Sequence, residues 1–451
     1  MIESPQDLQK FELENLQGDL IVHVVPLDED THSADMQASV LFLRNLSTST
    51  TYYYAFNHPD SSPEVTPKQF FEVISSLENR KWALDKKLLE QLCPLKNVVD
   101  ANLAGYMMDN SIVELADYDT SAHFLIRRYA NGHKRLNMAI PILKHKEVFD
   151  ELADDLESKI ISKFEVDTAF LRFNQLIIET LGDIERQGIF VDREKFKARY
   201  KTEPNTDGIV YSQYNVYTST GRPSNRFGGI NFAALGHNDG SRACIRSRYG
   251  NDGKIVVVDY TAFHPRIICT LTKYPIPVDR NIYEYLATLY YQRKDVDETD
   301  IENAKLLTFR QLYGGVEAKY AHIKYLANLK TFIDEQWEFF NQNGYVLTPI
   351  FKRKITKHHI EDPNPSKIFN YILQAVEGEI AIPQIKLVQK YLLNKKTKGI
   401  LYTYDAMLYD FHREDGLETL NGIREIMSAN GAFPMKTYIG DSYQTVRLID
   451  V

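Results

Sequence analysis

The chain has 451 residues, of which 43% are hydrophobic, and it carries a formal net charge of −8. This length favours two or three domains, and the composition provides enough apolar side chains for sizeable cores. The three cysteines, Cys93, Cys244 and Cys269, lie far apart and lack metal-ligand spacing, which favours a reducing compartment. No apolar stretch approaches the roughly 20 residues that cross a membrane, and no signal peptide is evident. We therefore expect an intracellular, cytoplasmic protein without a membrane partner.

The negative charge is concentrated near the N-terminus. Residues 1–60 carry ten acidic and two basic side chains, so the remainder is neutral in sum. Within that remainder, residues 201–250 hold six Lys or Arg against three acidic residues, and 352–359 and 395–398 are basic clusters. Local patches, more than net charge, decide contacts with phosphates. A polyanionic partner therefore stays open, although such short runs are also typical of ordinary solvated faces.

Hydrophobic periodicity predicts the following elements in chain order. Strands are expected at 20–27, 38–43 and 51–56, and helices at 67–77 and 100–108. Residues 145–187 have helical periodicity, and we place a domain boundary between 168 and 169. The segment 203–245 is expected to be loop and short strand. Then follow a strand at 255–259, helices at 282–293, 300–313, 328–343 and 365–394, and a strand–turn–strand around Asp405.

Two aspartates stand at the ends of hydrophobic strands. Asp259 follows the run Ile255-Val-Val-Val258, and Asp405 follows Ile400-Leu-Tyr-Thr-Tyr404. If the two strand ends meet, the carboxylates could hold two divalent cations at a fixed separation. Such a pair suits phosphoryl transfer, although many phosphate-handling enzymes would meet this description.

Two further segments carry side chains suited to nucleotides. Lys305, Phe309 and Tyr313 are spaced four residues apart, which places a cation and two aromatic rings on one helix face. A lysine can bind a polyphosphate and an aromatic ring can stack on a base, but an amphipathic helix with an aromatic core stripe has the same spacing. Thr220-Gly-Arg222 lies among hydroxyls and suits a nucleic-acid backbone, although it is also an ordinary turn.

In this order, the motifs resemble those of the family A DNA polymerases, the polymerase I type, over about residues 170–451. Asp259 to Arg266 resembles motif A, and Tyr404-Asp405 resembles motif C. Lys305-x-x-x-Phe309-x-x-x-Tyr313-Gly314 resembles the O-helix of the fingers. Asn370-x-x-x-Gln374 resembles the helix that contacts the minor groove, and Gly440 to Tyr443 resembles the C-terminal end.

The resemblance implies a mixed α/β and α+β chain in which residues 169–451 form a polymerase right hand of palm and fingers. It implies a template-directed DNA polymerase that binds primer–template DNA and dNTPs and uses two Mg²⁺ ions. The implied metal ligands are Asp259, Asp405 and the backbone of Tyr260. The implied nucleotide-binding residues are Lys305, Phe309, Tyr313, Tyr260 and His264, with Lys305 also catalytic. The implied DNA-binding residues are Thr220, Arg222, Asn231, Arg266, Asn370 and Gln374.

Departures from the family pattern leave other functions open. His264 replaces a glutamate that shapes sugar selection, Ala406 replaces the motif C glutamate, and Ile301 and Tyr283 replace triphosphate contacts. A polymerase with altered sugar selection, or a polymerase-like nucleic-acid binding protein with weak or no catalysis, therefore remain alternatives. Asp192 and Thr220 are only 28 positions apart, so the family's thumb is expected to be largely missing. That loss would give a processivity or accessory protein a role, and the compact chain suggests a viral or mobile-element enzyme.

Residues 1–168 resemble the 3′–5′ exonuclease domain of the same family, with an RNase H-like fold. The segment 98–109 carries that resemblance, and Leu84-Asp85 resembles its second carboxylate motif. Candidate exonuclease metal ligands are Asp28, Asp30, Asp85 and Asp154. The first strand carries His23 and Val25 where the family has acidic residues, so we expect exonuclease activity to be lost.

Overall fold

The computed structural model describes residues 1–27, 32–109, 140–164, 169–225 and 230–449. The chain divides into two compact units, Met1–Gly182 and Asp183–Val451. The division falls inside the helix Ala169–Gln187, so it lies later in the chain than the predicted 168/169. Asp28 and Asp30, two of the candidate exonuclease ligands, lie outside the described residues.

The first unit contains a five-stranded mixed sheet. Strands β1 (Leu20–Pro26), β2 (Ala38–Asn45) and β3 (Thr50–Ala55) form an antiparallel meander, which confirms the three predicted strands. Strands β4 (Lys81–Ala83) and β5 (Val98–Asp100) run parallel to β1 and complete the order β3-β2-β1-β4-β5.

Both faces of this sheet are buried. Alternate residues of β1 belong to different cores: Leu20, Val22 and Val24 pack in one cluster, and Ile21 and Val25 pack in the other. Such alternation places the sheet between two apolar layers. Within the described part of this unit, the helices before Ala169–Gln187 are α1 (Pro5–Glu14), α2 (Pro67–Ser76), α3 (Lys86–Leu92), α4 (Ala101–Asp109) and α5 (Ile142–Lys159). The predicted helical stretch 145–187 is therefore two helices, α5 and α6 (Ala169–Gln187), since a short 3₁₀ turn, Ile161–Lys163, follows α5.

The second unit is built on a five-stranded antiparallel sheet. The central strand β8 (Gly253–Tyr260) is flanked by β12 (Ala406–His412) and β13 (Met435–Gly440). The outer strands are β11 (Lys398–Tyr402) and β14 (Arg447–Ile449). Residues 255–258 of β8 are buried and β-branched, which suits a strand enclosed on both faces. Two small strand pairs are separate from this sheet: β6 (Ile189–Phe190) with β7 (Ile209–Val210), and β9 (Tyr345–Leu347) with β10 (Lys354–Thr356).

Seven α-helices are found in the described residues of the second unit. They are α7 (Arg193–Tyr200), α8 (Phe263–Leu271), α9 (Ile282–Tyr291), α10 (Glu298–Gly314), α11 (Lys324–Asn343), α12 (Pro365–Tyr391) and α13 (Gly416–Met427). A capping box between Asp297 and Asp300 fixes the start of α10, and Gly315 follows its end. In the part of the chain that the structure describes, no helix is long and apolar enough to cross a membrane.

Candidate active site

Asp259 and Asp405 come together at one end of the central sheet. Asp259 lies near the end of β8, and Asp405 lies in the turn 403–405 between β11 and β12. Ala406 pairs directly with Asp259 across the strands, and the Tyr260 backbone N–H donates to the Asp405 carbonyl at 2.8 Å. The turn is strained, because Tyr404 has a φ of +77°, and backbone strain of this kind is commonly kept at functional sites.

Burial and nearby carboxylates disfavour the charge on both aspartates. Burial and, secondly, the neighbouring Asp405 carboxylate raise the pKa of Asp259 to about 7. The pKa of Asp405 is also raised, first by burial and then by Glu377. Bound cations would relieve this repulsion and keep both groups ionised.

The donor set fits magnesium. Among the described residues, no group of three or more His, Cys, Asp or Glu side chains could hold a metal ion. The protein thus offers a carboxylate pair here, and Mg²⁺ typically takes one or two carboxylates and completes its shell with water and substrate phosphates. The residues present therefore fit a metal site that is finished by its substrate.

A cavity of about 710 Å³ opens beside the carboxylates and is lined by Asp259, Asp405, Lys305, Phe309 and Tyr313. The rings of Phe309 and Tyr313 are stacked, with centroids 5.9 Å apart and planes 7° apart. Tyr313 is 40% exposed, and Lys305 is exposed as well. The aromatic stripe of α10 therefore faces a cavity and is not a core stripe. A volume of this size is typical of a ligand pocket.

Glu377, which the sequence patterns did not mark, also lines this cavity. It is 1% exposed, and its Oε2 atom lies 3.0 Å from Arg222 Nε and 3.3 Å from His264 Nε2. These contacts are ion-pair approaches without aligned hydrogen bonds. Its position within the helical sequence Ala375-Val-Glu-Gly-Glu-Ile380 was the available signal, since a carboxylate amid apolar residues of a buried helix needs a partner.

Glu377 links two walls of the cavity through its partners. His264 Nδ1 lies 2.6 Å from the Tyr313 hydroxyl, so it connects Glu377 to α10. The Arg222 guanidinium lies 3.9 Å from the centroid of the Tyr404 ring, so it connects Glu377 to the turn that carries Asp405. The position where the sequence predicts an altered sugar contact, His264, is therefore held from both sides.

The Thr-Gly-Arg segment forms a turn around a buried arginine. Arg353 is 1% exposed and donates to the carbonyls of Thr218 at 2.6 Å and Ser219 at 3.2 Å. Gly221 has a φ of +71°, and a Cβ there would lie 2.3 Å from Arg353 Nη1. The Arg222 N–H donates to Thr220 Oγ1 at 3.2 Å. Arg353 belongs to the basic cluster 352–359, and its guanidinium is committed to this turn.

Two predicted ligand contacts are corrected by the structure. Arg266 is 5% exposed, and its guanidinium donates to the carbonyls of residues 276, 277, 278 and 280. It stabilises the loop before α9, so its predicted DNA contact is wrong. The Tyr260 ring stacks on Phe263 at 4.0 Å, and its hydroxyl donates to the Met427 carbonyl at 2.7 Å. The prediction of a nucleotide contact is therefore wrong for the Tyr260 side chain, and only its backbone remains for a ligand.

The remaining predicted DNA contacts lie on two elements. Asn370 and Gln374 are partly exposed and one turn apart on α12, and the Asn370 side chain donates to the Tyr313 carbonyl at 3.4 Å. Asn231 precedes the short 3₁₀ turn Phe232–Ala234, and no hydrogen-bond partner of its side-chain oxygen lies among the described residues. Tyr283, one of the replaced triphosphate contacts, packs its ring 6.2 Å from Phe309.

In the first unit, the described candidate exonuclease carboxylates have structural partners. Asp85 Oδ1 accepts the Leu88 N–H at 2.9 Å and caps α3. Asp154 pairs with Arg44 at 2.6 Å. In the structure Asp85 therefore serves as a helix cap and Asp154 is paired with a cation, and their assignment as metal ligands stays a prediction. His23, at a position where the family has a carboxylate, stacks on Phe149, with planes 8° apart.

Comparison with solved structures identifies the fold of this chain. No family model matches the chain, and no curated protein matches it. Among solved structures, it is similar to the POL domain of Pol1 from M. smegmatis in complex with DNA primer-template and dNTP, at 15% sequence identity and a TM-score of 0.68. The match covers 98% of this chain and 99% of that one. The chain therefore has a DNA polymerase fold.

Proposed function

We propose that this protein is a template-directed DNA polymerase that adds dNTPs to a primer 3′ end. The observation that carries the proposal is the cavity at which the strand-end carboxylates Asp259 and Asp405 meet Lys305, Phe309 and Tyr313 of α10. The polymerase fold supports the same assignment. Since fold alone does not specify activity, the side chains of the cavity carry most of the weight.

The reaction forms a bond between the primer 3′ oxygen and the α-phosphorus of the dNTP and breaks the α–β phosphoanhydride bond. Two Mg²⁺ ions, when bound, would activate the 3′ hydroxyl and stabilise the charge on the leaving pyrophosphate. Asp259, Asp405 and the Tyr260 carbonyl would hold them. Lys305 would neutralise triphosphate oxygens, and Phe309 and Tyr313 would bound the nascent base pair.

Primer–template DNA would be read through the shape and minor groove of the duplex. Thr220, Arg222, Asn231, Asn370 and Gln374 are the residues we assign to that contact, and none of them is a base-specific reader on its own. Arg222 shares its guanidinium with Glu377 and remains 29% exposed at the side chain. We therefore assign it a positioning contact to the sugar–phosphate backbone near Asp405.

The grip on duplex DNA is expected to be weak. Between Asp192 and Thr220, where every residue is described, the regular elements are the eight-residue helix α7 and the short strand β7. Few phosphate contacts would then hold the duplex, so synthesis should be distributive and strongly salt-sensitive. A processivity or accessory protein would compensate for that loss.

We infer that residues 1–168 form an RNase H-like, exonuclease-like domain without exonuclease activity. The mixed sheet of the first unit, buried on both faces, supports the fold. The engagement of Asp85 as a helix cap and of Asp154 with Arg44 supports the loss of activity, because two-metal hydrolysis requires free carboxylates.

An altered choice of sugar is a second candidate, favoured by the contact between His264 and Tyr313. Primer extension with Mg²⁺, run with dNTPs or rNTPs and with paired or mismatched 3′ ends, tests all of these proposals together. We expect template-dependent extension with dNTPs and no removal of a mismatched end. Extension with rNTPs at an equal rate would establish the altered sugar choice. Metal-dependent dNTP binding without any extension would instead identify a polymerase-like binding protein.

A further inference from the structure

A lysine stands directly beside the catalytic carboxylate Asp259. Strand β13 places Lys436 opposite Asp259 in register, and strand β12 places Ala406 on the other side. Residues directly opposite on antiparallel strands project to the same face, with Cβ atoms about 4.5–5.5 Å apart. Lys436 also lines the 710 Å³ cavity. Asp259 therefore has a cation on one side and only a methyl group on the other.

The Lys436 ammonium is not committed to the fold. Lys436 is exposed, and within the described ranges no carboxylate lies in ion-pair distance of its Nζ atom. Lys254, on the same sheet, differs because it pairs with Asp441. A lysine head group on a flexible stem is a mobile point charge that suits a phosphate.

Lys436 and Lys305 reach the same cavity from different elements. Both lysines line it together with Asp259. Lys305 comes from α10 and Lys436 from β13. The charges of these two lysines offset those of Asp259 and Asp405. A phosphate that enters with its metal ions would therefore meet positive charge on two sides.

We propose that Lys436 is a second phosphate-binding residue of this site, in addition to Lys305. This inference rests on the proposed polymerase function. Its ligand is a phosphate group of the substrate, supplied either by the nucleotide polyphosphate or by the primer backbone. The sequence patterns did not mark Lys436, because it belongs to no motif and is separated from Asp259 by 177 positions in the chain.

The experiment uses the full chain with Lys436→Met, Lys436→Arg and, as the matched control, Lys390→Met. Lys390 is an exposed lysine in the last turn of α12 and does not line the cavity. Two quantities are measured for each variant: Mg²⁺-dependent equilibrium binding of a dNTP, and equilibrium binding of primer–template DNA at several salt concentrations. Primer-extension rates are recorded in parallel.

If the nucleotide supplies the phosphate, K436M should weaken dNTP binding about 10- to 100-fold and leave DNA binding unchanged. If the primer supplies it, K436M should weaken DNA binding and reduce the slope of log affinity against log salt by about 1. In either case K436R should recover a substantial part of the loss and K390M should match the wild type.

The inference would be overturned if K436M bound both ligands as tightly as K390M does. If extension by K436M were slower in that case, Lys436 would act only on Asp259. Failure of the proposed function has a separate signature, because it appears as absence of extension by the wild type. The binding measurements do not depend on extension, so Lys436 would still be tested.

Discussion

Gly221→Ala should destabilise the second unit by more than its backbone conformation alone requires. Alanine at a φ of +71° costs about 1–2 kcal/mol, because its Cβ crowds the following carbonyl. The same Cβ would lie 2.3 Å from Arg353 Nη1 and 2.8 Å from Cζ, so the guanidinium must move. Weakening its bonds to the carbonyls of Thr218 and Ser219 should add roughly 2–3 kcal/mol.

Gly240→Ala is the matched control. Gly240 has nearly the same φ, +72°, but nothing lies within 4 Å of the added Cβ. Urea unfolding of each full-length variant, followed by tryptophan fluorescence, measures the free energy of unfolding. We expect a loss of about 3–5 kcal/mol for Gly221→Ala and about 1–2 kcal/mol for Gly240→Ala. Equal losses for the two variants would refute the role assigned to Arg353.

Three other predictions follow from buried or capping groups. Burial lowers the pKa of His23 from 6.5 to about 4, so protonation favours the unfolded state. The free energy of unfolding should therefore fall by up to roughly 3 kcal/mol as the pH drops below 6.5, and it should level off below pH 4. In pH-dependent unfolding, His23→Phe should remove that part of the acid sensitivity. Asp85→Ala should cost about 1 kcal/mol in urea unfolding as a lost helix cap, whereas Asp85→Ser should restore most of it; a cost of zero would contradict the cap. Glu377→Gln should weaken the contacts of Glu377 with Arg222 and His264 and lower the primer-extension rate about tenfold. Glu377→Ala should also reduce the free energy of unfolding by several kcal/mol. Wild-type extension rates in both variants would show that these contacts do not contribute to extension.

The parts of the fold that could be predicted from sequence are those set by local patterns. The β-branched run before Asp259 predicts a buried strand, and the structure has β8 there. The four-residue spacing of Lys305, Phe309 and Tyr313 predicts one helix face, and the structure places all three on the cavity wall. The register between β8 and its neighbours then brings Asp405 to Asp259, which no local pattern specifies.

The parts that could not be predicted depend on distant partners. Arg353 holds carbonyls more than 130 positions away, and Arg266 is buried under a loop without regular structure. An arginine in the sequence looks the same whether it binds DNA or its own backbone, because its donors suit both. The buried position of the Tyr260 ring was partly predictable. Side chains alternate between the two faces of a strand, so a residue next to Asp259 points away from the face that carries Asp259.

The most direct test of the carboxylate pair is single-turnover primer extension over a range of Mg²⁺ concentrations. Asp259→Asn and Asp405→Asn are compared with Asp252→Asn, an exposed aspartate just before β8. We expect each active-site variant to extend at least about 100-fold more slowly, and the control to match the wild type. Because burial and repulsion disfavour both charges, the active-site variants should be at least as stable as the wild type in urea. Wild-type extension rates in Asp259→Asn and Asp405→Asn would contradict the proposed two-metal polymerase.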